Sequence, residues 1–376
     1  MDIINKHIFA KKALLPNGWS NNVIIEIDQS GLISNVTENN NHKVDADLNE
    51  EIILPAMNNL HSHSFQRAMA GLTEARSPQG NDSFWSWRNL MYQFLDVLTP
   101  EEIYSITLFS QMEMLQSGYV GVGEFHYLHR DPGGQSYADL CEMGNGIIEA
   151  SELAGIGLTL LPGLYSVCGY EEPRPNMGQR RYILGIDEYL HLISQYHNAC
   201  AKNPQVCIGI APHSLRQVPA HLLTEVLNGY RSFSQNGHIH IHIAEQKRDV
   251  QEHMKHMGDR PVSWLINNVG VDHRWCLIHA THMTKDETKA IANTGAVVGL
   301  CPSTEANLGD GIFPFRQYLR EEGRWGIGSD SHVSINPWEE LRWLEYGQRL
   351  KTRTRNITSA RVGGSTGLML LINALN

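Results

Sequence analysis

The sequence predicts an α/β fold, a distorted (β/α)8 barrel of the TIM type preceded by a small β domain. Short, nearly all-apolar runs alternate with amphipathic helical stretches after residue 51, which is typical of parallel strands buried on both faces. Eight such runs match the strand count of a closed barrel. A doubly wound open sheet is the rival fold, but no GxGxxG or GxxxxGK[ST] motif follows an early strand. The predicted barrel strands are residues 52–56, 120–125, 157–164, 206–211, 239–244, 275–279, 296–300 and 325–328.

Three regions follow from this pattern. Residues 1–50 have little helical periodicity, and segment 21–27 (NNVIIEI) predicts a strand that a turn over residues 28–31 connects to another strand. Residues 51–355 form the predicted barrel, and residues 356–376 form an atypical C-terminal tail.

Two barrel helices are indicated by the residues at their ends. Thr99 is suited to cap a helix whose first position is Pro100, and Gly118 is suited to end that helix. Another helix is predicted to begin after Asn336 and to run to about residue 354. Segment 84–87 (FWSW) is compatible with either a loop or a helix.

Composition excludes several classes of partner. The formal net charge of −10 disfavours nucleic acid and anionic membranes, which need basic protein surfaces. No run of 18 apolar residues and no secretory signal is present, so we expect a cytoplasmic protein without a transmembrane helix. The six cysteines form no CxxC pair, which predicts buried thiols in a reducing compartment.

Residues that suit metal binding follow several predicted strands. His61 and His63 are two positions apart, so on an extended segment both imidazoles point to the same side. His242 lies near the end of the fifth strand and Asp330 follows the eighth. Alone, the HxH pair is a weak signal, and an ordinary pair of surface or core histidines is the better interpretation. Three imidazoles and one carboxylate at strand ends, however, suit a zinc ion with a position left for water.

Together with Glu245 after the fifth strand and His279 after the sixth, these positions resemble the amidohydrolase superfamily of metal-dependent hydrolases and deaminases. Binuclear members carry a bridging carbamate on a lysine at the end of the fourth strand, and this chain has His213 there. The sequence is therefore similar to the mononuclear deaminase branch.

Six segments narrow the resemblance to the family of N-formimidoyl-L-glutamate deiminases, which convert this compound and water to N-formyl-L-glutamate and ammonia in histidine degradation. The resemblance implies one Zn2+ per chain, with iron or another divalent metal left open, and a small dicarboxylate formamidine as substrate. The segments are 60–74 (LHSHSFQRAMAGLTE), 81–92 (NDSFWSWRNLMY), 211–216 (APHSLR), 240–246 (HIHIAEQ), 301–314 (CPSTEANLGDGIFP) and 328–350.

Roles follow from the chemistry and the resemblance. The expected metal ligands are His61, His63, His242 and Asp330. Asp330 is also expected to accept a proton from water, because a carboxylate has spare lone pairs. Glu245 is expected to act as general acid and base, and His279 to hydrogen-bond the attacking water or the tetrahedral centre. A salt bridge for Glu245 and a packed core position for His279 are the alternatives.

A dicarboxylate substrate needs fixed cations, and arginine matches carboxylates best. Arg88 and Arg216 are the predicted anchors, with further contacts expected from the family resemblance. From the sequence pattern alone, Arg88 is equally compatible with a solvated surface position. The further substrate contacts are Gln66, Tyr127 and His213.

Family members complete a small β-sandwich with a stretch after the barrel, whereas only residues 331–376 follow Asp330 here. We therefore expect an incomplete sandwich whose N-terminal strands lack partners, and reduced stability. Two other functions stay open: a deaminase of a purine-like cyclic amidine, and an inactive metal-binding relic. The sequence does not determine whether the chain forms a homodimer.

Overall fold

The computed structural model describes residues 6–40, 46–76, 80, 82–171, 174, 177–359 and 364–375. Parts of the predicted N-terminal domain, of segment 81–92 and of the C-terminal tail lie outside the described residues. The chain divides into two compact units, with the division between Ala56 and Met57.

The first unit contains a four-stranded mixed sheet in the order β3-β2-β1-β4. The strands are β1 (His7–Leu15), β2 (Gly18–Ile27), β3 (Ile33–Thr37) and β4 (Leu48–Ile53). β2 pairs antiparallel with β1 on one edge and with β3 on the other, and β1 pairs parallel with β4. The expectation that the N-terminal strands lack partners is therefore wrong for β2.

The turn between β2 and β3 is fixed by Asp28. Its Oδ1 accepts hydrogen bonds from the backbone N–H groups of Ser30 and Leu32, over 2.8 and 3.0 Å. The predicted strand over 21–27 and the turn that follows it are both present. Buried side chains of β1 and β2 form the core of this unit: Ala10, Ala13, Val23, Ile25 and Ile27.

The second unit is the barrel, and its strands run parallel. One sheet contains β5 to β8 with β9 paired to β7, and a second sheet contains β10 to β13. Isolated parallel bridges between Ile210 and Ile239 and between Ser62 and Asp330 join the sheets into a ring. The fourth strand position is interrupted between β8 and β9, which accounts for the distortion. The strands are β5 (Met57–Ser62), β6 (Tyr119–His126), β7 (Gly157–Leu164), β8 (Val206–Ile208), β9 (Ala211–Pro212), β10 (Ile239–Ile243), β11 (Trp275–His279), β12 (Val297–Leu300) and β13 (Arg324–Ile327).

The first barrel strand is not where the sequence predicted it. Residues 52–53 end β4 of the N-terminal sheet, and the barrel begins at Met57. β5 was missed because its fully buried side chains include Asn59 and His61, so it does not form an apolar run. Asn59 Oδ1 accepts a hydrogen bond from the backbone N–H of Ser329 over 3.0 Å, which ties β5 to the segment that follows β13.

The two helices predicted from their ends are present. Thr99 Oγ1 accepts from the N–H of Glu102, the carboxylate of Glu102 accepts from the N–H of Thr99, and Gly118 ends the helix with a φ of 107°. The later predicted helix begins at Pro337 and ends at Thr352, two residues earlier than expected. The described α-helices are α1 (Phe84–Leu95), α2 (Pro100–Ser117), α3 (Glu142–Ala154), α4 (Ile186–Cys200), α5 (Ala220–Arg231), α6 (Lys247–Met257), α7 (Pro261–Val269), α8 (Lys285–Thr294), α9 (Pro302–Asn307), α10 (Phe315–Arg320), α11 (Pro337–Thr352) and α12 (Thr366–Ala374).

Two composition-based expectations can be compared with the structure. Within the described ranges, no helix combines the length and the apolar character that crossing a bilayer requires. All six cysteines lie in described residues without a disulfide, and five of them are buried. Cys207 is exposed, so the prediction of uniformly buried thiols is wrong at this position.

Candidate metal-dependent active site

The carboxyl ends of four barrel strands bring the predicted ligands and proton carriers together, in the place where barrel enzymes hold their active sites. The backbone there is unusual. Ala244, His279, Ala280 and Asp330 have φ values of 49°, 67°, 48° and 48°, a left-handed region that costs energy for residues other than glycine. These left-handed residues lie at or shortly after the carboxyl ends of β10, β11 and β13.

Three buried imidazoles converge on one point. The Nε2 atom of His61 lies 3.1 Å from Nε2 of His63 and 3.0 Å from Nε2 of His242. The Nδ1–H of His63 donates to the carbonyl oxygen of Phe125 over 2.7 Å, and that of His242 donates to the carbonyl of His213 over 3.1 Å. The protons of both rings are therefore on Nδ1, and their Nε2 lone pairs face the centre.

Electrostatics favour a cation at this point. Burial lowers the pKa of His61 and of His242 well below the usual value, so these rings are neutral near pH 7. Asp330 adds a carboxylate, with Oδ1 at 3.4 Å from His61 Nε2 and 3.5 Å from His63 Nε2. Converging lone pairs repel one another unless a positive charge lies between them. The donor set of three neutral imidazoles and one carboxylate therefore fits a divalent metal ion.

Glu245 and His279 lie beside this donor set. Nε2 of His279 is 3.7 Å from Glu245 Oε1 and 3.7 Å from Asp330 Oδ2, so the three groups face one another. Burial raises the pKa of Glu245 to about 7, and the charges of Asp249 and Asp330 act in the same direction. Burial lowers the pKa of His279, but the surrounding carboxylates, Glu245 first, outweigh it and raise the pKa to about 10. Glu245 can thus gain or lose a proton near neutral pH.

One pocket contains all five predicted substrate-binding residues. It is also lined by His63, His242, Glu245, His279 and Asp330, so the predicted anchors face the predicted metal and proton-transfer groups. The five residues are Gln66, Arg88, Tyr127, His213 and Arg216.

The two arginines of the pocket contact the same indole. The guanidinium carbons of Arg88 and Arg216 lie 4.5 and 5.0 Å from the centre of the Trp85 ring. Segment 84–87, which the sequence left between loop and helix, is the first turn of α1 and so places Arg88 at the pocket. Arg216 also forms an ion pair with Asp249. Among the described residues, the buried Nε atoms of Arg88 and Arg216 have no hydrogen-bond partner, which leaves a donor on each side chain for an anionic ligand.

The other pocket residues are neutral donors and acceptors. Burial raises the pKa of Tyr127 well above its usual value, and its phenol oxygen accepts from Gln66 Nε2 over 3.3 Å. Burial and the charge of Arg216 lower the pKa of His213 well below its usual value. The carbonyl of His213 orients His242, so this residue serves both the pocket and the donor set.

Three buried acids near the site were not assigned from the sequence. Glu124, near the end of β6, accepts hydrogen bonds from the hydroxyls of Ser62 and Ser64 and, over 2.7 Å, from the N–H of Ser64. It therefore binds the two residues that flank His63 in the sequence. Glu305 and Asp310 follow β12. They were not predicted as site residues, because the sequence has no histidine at the end of that strand. An oxygen of Asp310 lies within 4.8 Å of ligand atoms of Glu245 and His279. The only available sequence signal was the quoted segment 301–314, which contains both acids.

Comparisons with known proteins agree with this architecture. The sequence model of the amidohydrolase family matches residues 52–362, and that of the N-terminal domain of formimidoylglutamate deiminase HutF matches residues 5–48. Formimidoylglutamate deiminase from Pseudomonas aeruginosa is 50% identical over 354 residues, which cover 93% of this chain and 76% of that protein. The 8-oxoguanine deaminase of the same organism is 28% identical, over 83% of this chain and 67% of that protein.

Solved structures show the same fold. The crystal structure of an amidohydrolase from Brucella melitensis superposes with a TM-score of 0.93 at 44% identity, covering 98% of this chain and 81% of that one. The zinc complex of atrazine chlorohydrolase TrzN from Arthrobacter aurescens superposes with a TM-score of 0.76 at 17% identity, over 93% and 78% of the two chains.

Proposed function

The chain belongs to the amidohydrolase family, and we propose that it hydrolyses N-formimidoyl-L-glutamate to N-formyl-L-glutamate and ammonia, a step of histidine degradation. It is a hydrolase that acts on the carbon–nitrogen bond of an amidine. The observation that carries the choice of substrate is that one pocket is lined by His63, His242 and Asp330 and by two arginines. Within the described part of the chain, the Nε atoms of these arginines have no hydrogen-bond partner.

The proposed metal ligands are His61, His63, His242 and Asp330, and the proposed metal is one zinc ion per chain. Support comes from the Nε2 lone pairs of His63 and His242, whose orientation is set by the backbone carbonyls behind them. When bound, a divalent metal lowers the pKa of water and so supplies a hydroxide nucleophile at neutral pH.

Hydrolysis adds water to the formimidoyl carbon and breaks the bond to the terminal nitrogen, which leaves as ammonia. Glu245 delivers a proton to the imine nitrogen as the carbon–oxygen bond forms, and one proton of the attacking water replaces the proton that Glu245 gave. Asp330 accepts the other proton of the water and passes it to the amino group, which leaves as ammonia when the carbon–nitrogen bond breaks. A pKa of about 7 suits Glu245 for this exchange, because a general acid works best when its pKa is near the working pH. His279, which faces both carboxylates, donates a hydrogen bond to the tetrahedral carbon's oxygen.

The two carboxylates of the substrate distinguish it from purines. Arg88 and Arg216 contact one tryptophan and both line the pocket. Although Arg216 also pairs with Asp249, the two guanidinium groups offer N–H donors for carboxylates that a neutral base does not need. Gln66, Tyr127 and His213 add polar contacts at the same pocket wall.

A substrate comparison tests this proposal. Metal-loaded protein is offered N-formimidoyl-L-glutamate, a simple N-alkyl formamidine without carboxylates, and 8-oxoguanine in parallel. We expect kcat/KM to be greatest for the dicarboxylate. Preference for the purine would refute the proposed substrate, and equal turnover of the simple formamidine would refute the arginine anchors.

A further inference from the structure

We infer that Glu305 is a positioning residue, which fixes the imidazole of His279 so that Nδ1–H points to Glu305 and Nε2 points to the reacting centre. Only the kinetic test of this inference rests on the proposed function, because the contact between Glu305 and His279 does not depend on the substrate. Glu305 is 5% exposed and His279 is 1% exposed, so water does not compete for this contact.

The hydrogen bonds determine the orientation of the ring. Oε1 of Glu305 lies 3.4 Å from Nδ1 of His279 and also accepts from the backbone N–H of Cys301 over 3.0 Å. The same Oε1 already accepts a hydrogen bond from a backbone N–H, so it is the acceptor here too and the proton between the two groups belongs to Nδ1. The opposite nitrogen, Nε2, then faces Glu245 and Asp330, each at 3.7 Å.

Glu305 is itself held on a fixed element. In α9, the backbone N–H of Ser303 donates to Glu340 over 2.8 Å, and the hydroxyl of Thr304 lies 2.8 Å from that of Ser331. The second contact connects α9 to the residue that follows Asp330. Helix α9, which carries Glu305, is thus hydrogen-bonded to the residue next to Asp330, a proposed metal ligand.

His279 needs such a partner because the backbone does not hold its ring. Its φ of 67° lies outside the regular strand region, so the side chain leaves β11 in a strained direction. Without a bond at Nδ1, the ring can rotate about its side-chain bonds, and the rotation moves the Nε2–H donor away from the reacting centre. In other enzymes, too, loss of a carboxylate that orients a catalytic histidine lowers turnover.

Two substitutions separate this role from simple packing. In metal-loaded protein, Glu305→Ala should lower kcat by at least about 10-fold, while KM and bound metal stay within about 2-fold of wild type. Glu305→Gln retains an oxygen at the same place and should recover part of kcat. Glu345→Gln is the matched control, since it alters another buried acid, whose described hydrogen bonds join Arg349, Ile357 and Thr358.

Nitrogen NMR of zinc-loaded, histidine-labelled protein gives a readout independent of turnover. The protonated Nδ1 signal of His279, assigned with His279→Asn, should be present in wild type and in Glu305→Gln and be lost or shifted in Glu305→Ala. Wild-type kcat in Glu305→Ala, an equal kcat loss in Glu345→Gln, or an unchanged Nδ1 signal in Glu305→Ala would overturn the inference. Inactive wild-type protein would instead refute the proposed substrate, and the NMR comparison would still decide the role of Glu305.

Discussion

The Nδ1–H of His63 donates to the backbone carbonyl oxygen of Phe125 over 2.7 Å, across the boundary between the first and second barrel strands. Phe125 lies in β6, and His63 follows β5 directly. One strand therefore sets the tautomer of an imidazole carried by its neighbour, and this directs the Nε2 lone pair to the centre of the donor set.

Removing a proposed ligand should remove the metal and the activity together. His242→Ala and Asp330→Ala each delete a donor from the set, so bound metal should fall to a small fraction of that in wild type. Inductively coupled plasma mass spectrometry measures the bound metal in each variant. His240→Ala is the control, because it removes another buried histidine of the same strand. Near-stoichiometric metal in either ligand variant would contradict the assignment.

Glu245→Gln should separate metal binding from turnover. The amide keeps the shape of the side chain but removes the group that transfers a proton, so kcat should fall by about 100-fold or more while bound metal is unchanged. Steady-state kinetics and metal analysis on the same preparation measure both quantities. Turnover comparable with wild type would exclude Glu245 from the mechanism.

The pH profile should report the acid form of Glu245. Burial raises its pKa to about 7, and a general acid must hold its proton at the start of the reaction. We therefore expect kcat/KM to decline as pH rises through about 7, by up to 10-fold per pH unit well above that value. A flat profile between about pH 6 and pH 9 would show that another group supplies the proton.

The arginine anchors should affect substrate capture more than chemistry. Loss of one charged hydrogen bond in Arg88→Ala or Arg216→Ala should cost about 1.5–3 kcal/mol in kcat/KM, roughly 10-fold to 100-fold. Arg248→Ala is the control, because its guanidinium also stacks on Trp85, at 4.3 Å, but pairs with Glu252 in solvent. A similar loss of kcat/KM in all three variants would mean that the effect comes from disrupted packing around Trp85 and not from lost contacts with the substrate carboxylates.

Glu124 should stabilise the segment that carries His61 and His63. Its carboxylate accepts from residues on both sides of His63, so Glu124→Ala should weaken metal affinity by about 10-fold to 100-fold. Competition with a chelator measures this affinity, and Glu113→Ala, which removes a partly exposed partner of Arg67, is the control. An unchanged affinity in Glu124→Ala would mean that the serine contacts do not hold the histidines in place.

Much of the barrel could be predicted because its strands are apolar on both faces. Strands β7 and β11 have the bounds that the sequence predicted, whereas β5 was placed too early because its inward side chains are the polar groups of the site. The five pocket residues were predicted from their positions after strands and from the family resemblance, and all five line one pocket. The position of Arg88 needed the structure, because helix α1 places its side chain beside Trp85.

Contacts between distant acids and histidines could not be predicted from spacing. Glu305 and His279 are 26 residues apart and lie on different elements, so no local pattern connects them. The same holds for Glu124 and Ser62, which are 62 residues apart and meet through the pairing of β5 with β6. Acids such as these meet their partners only when the barrel strands pair, so they can be recognised from the structure but not from the sequence.

The most direct test of the account is the release of ammonia from N-formimidoyl-L-glutamate by purified protein as zinc is titrated into it. We predict that ammonia and N-formyl-L-glutamate form in equal amounts, at a rate that rises with bound zinc to about one ion per chain, and that His242→Ala stays at background. Fully zinc-loaded wild-type protein that releases no more ammonia than His242→Ala would contradict the central claim.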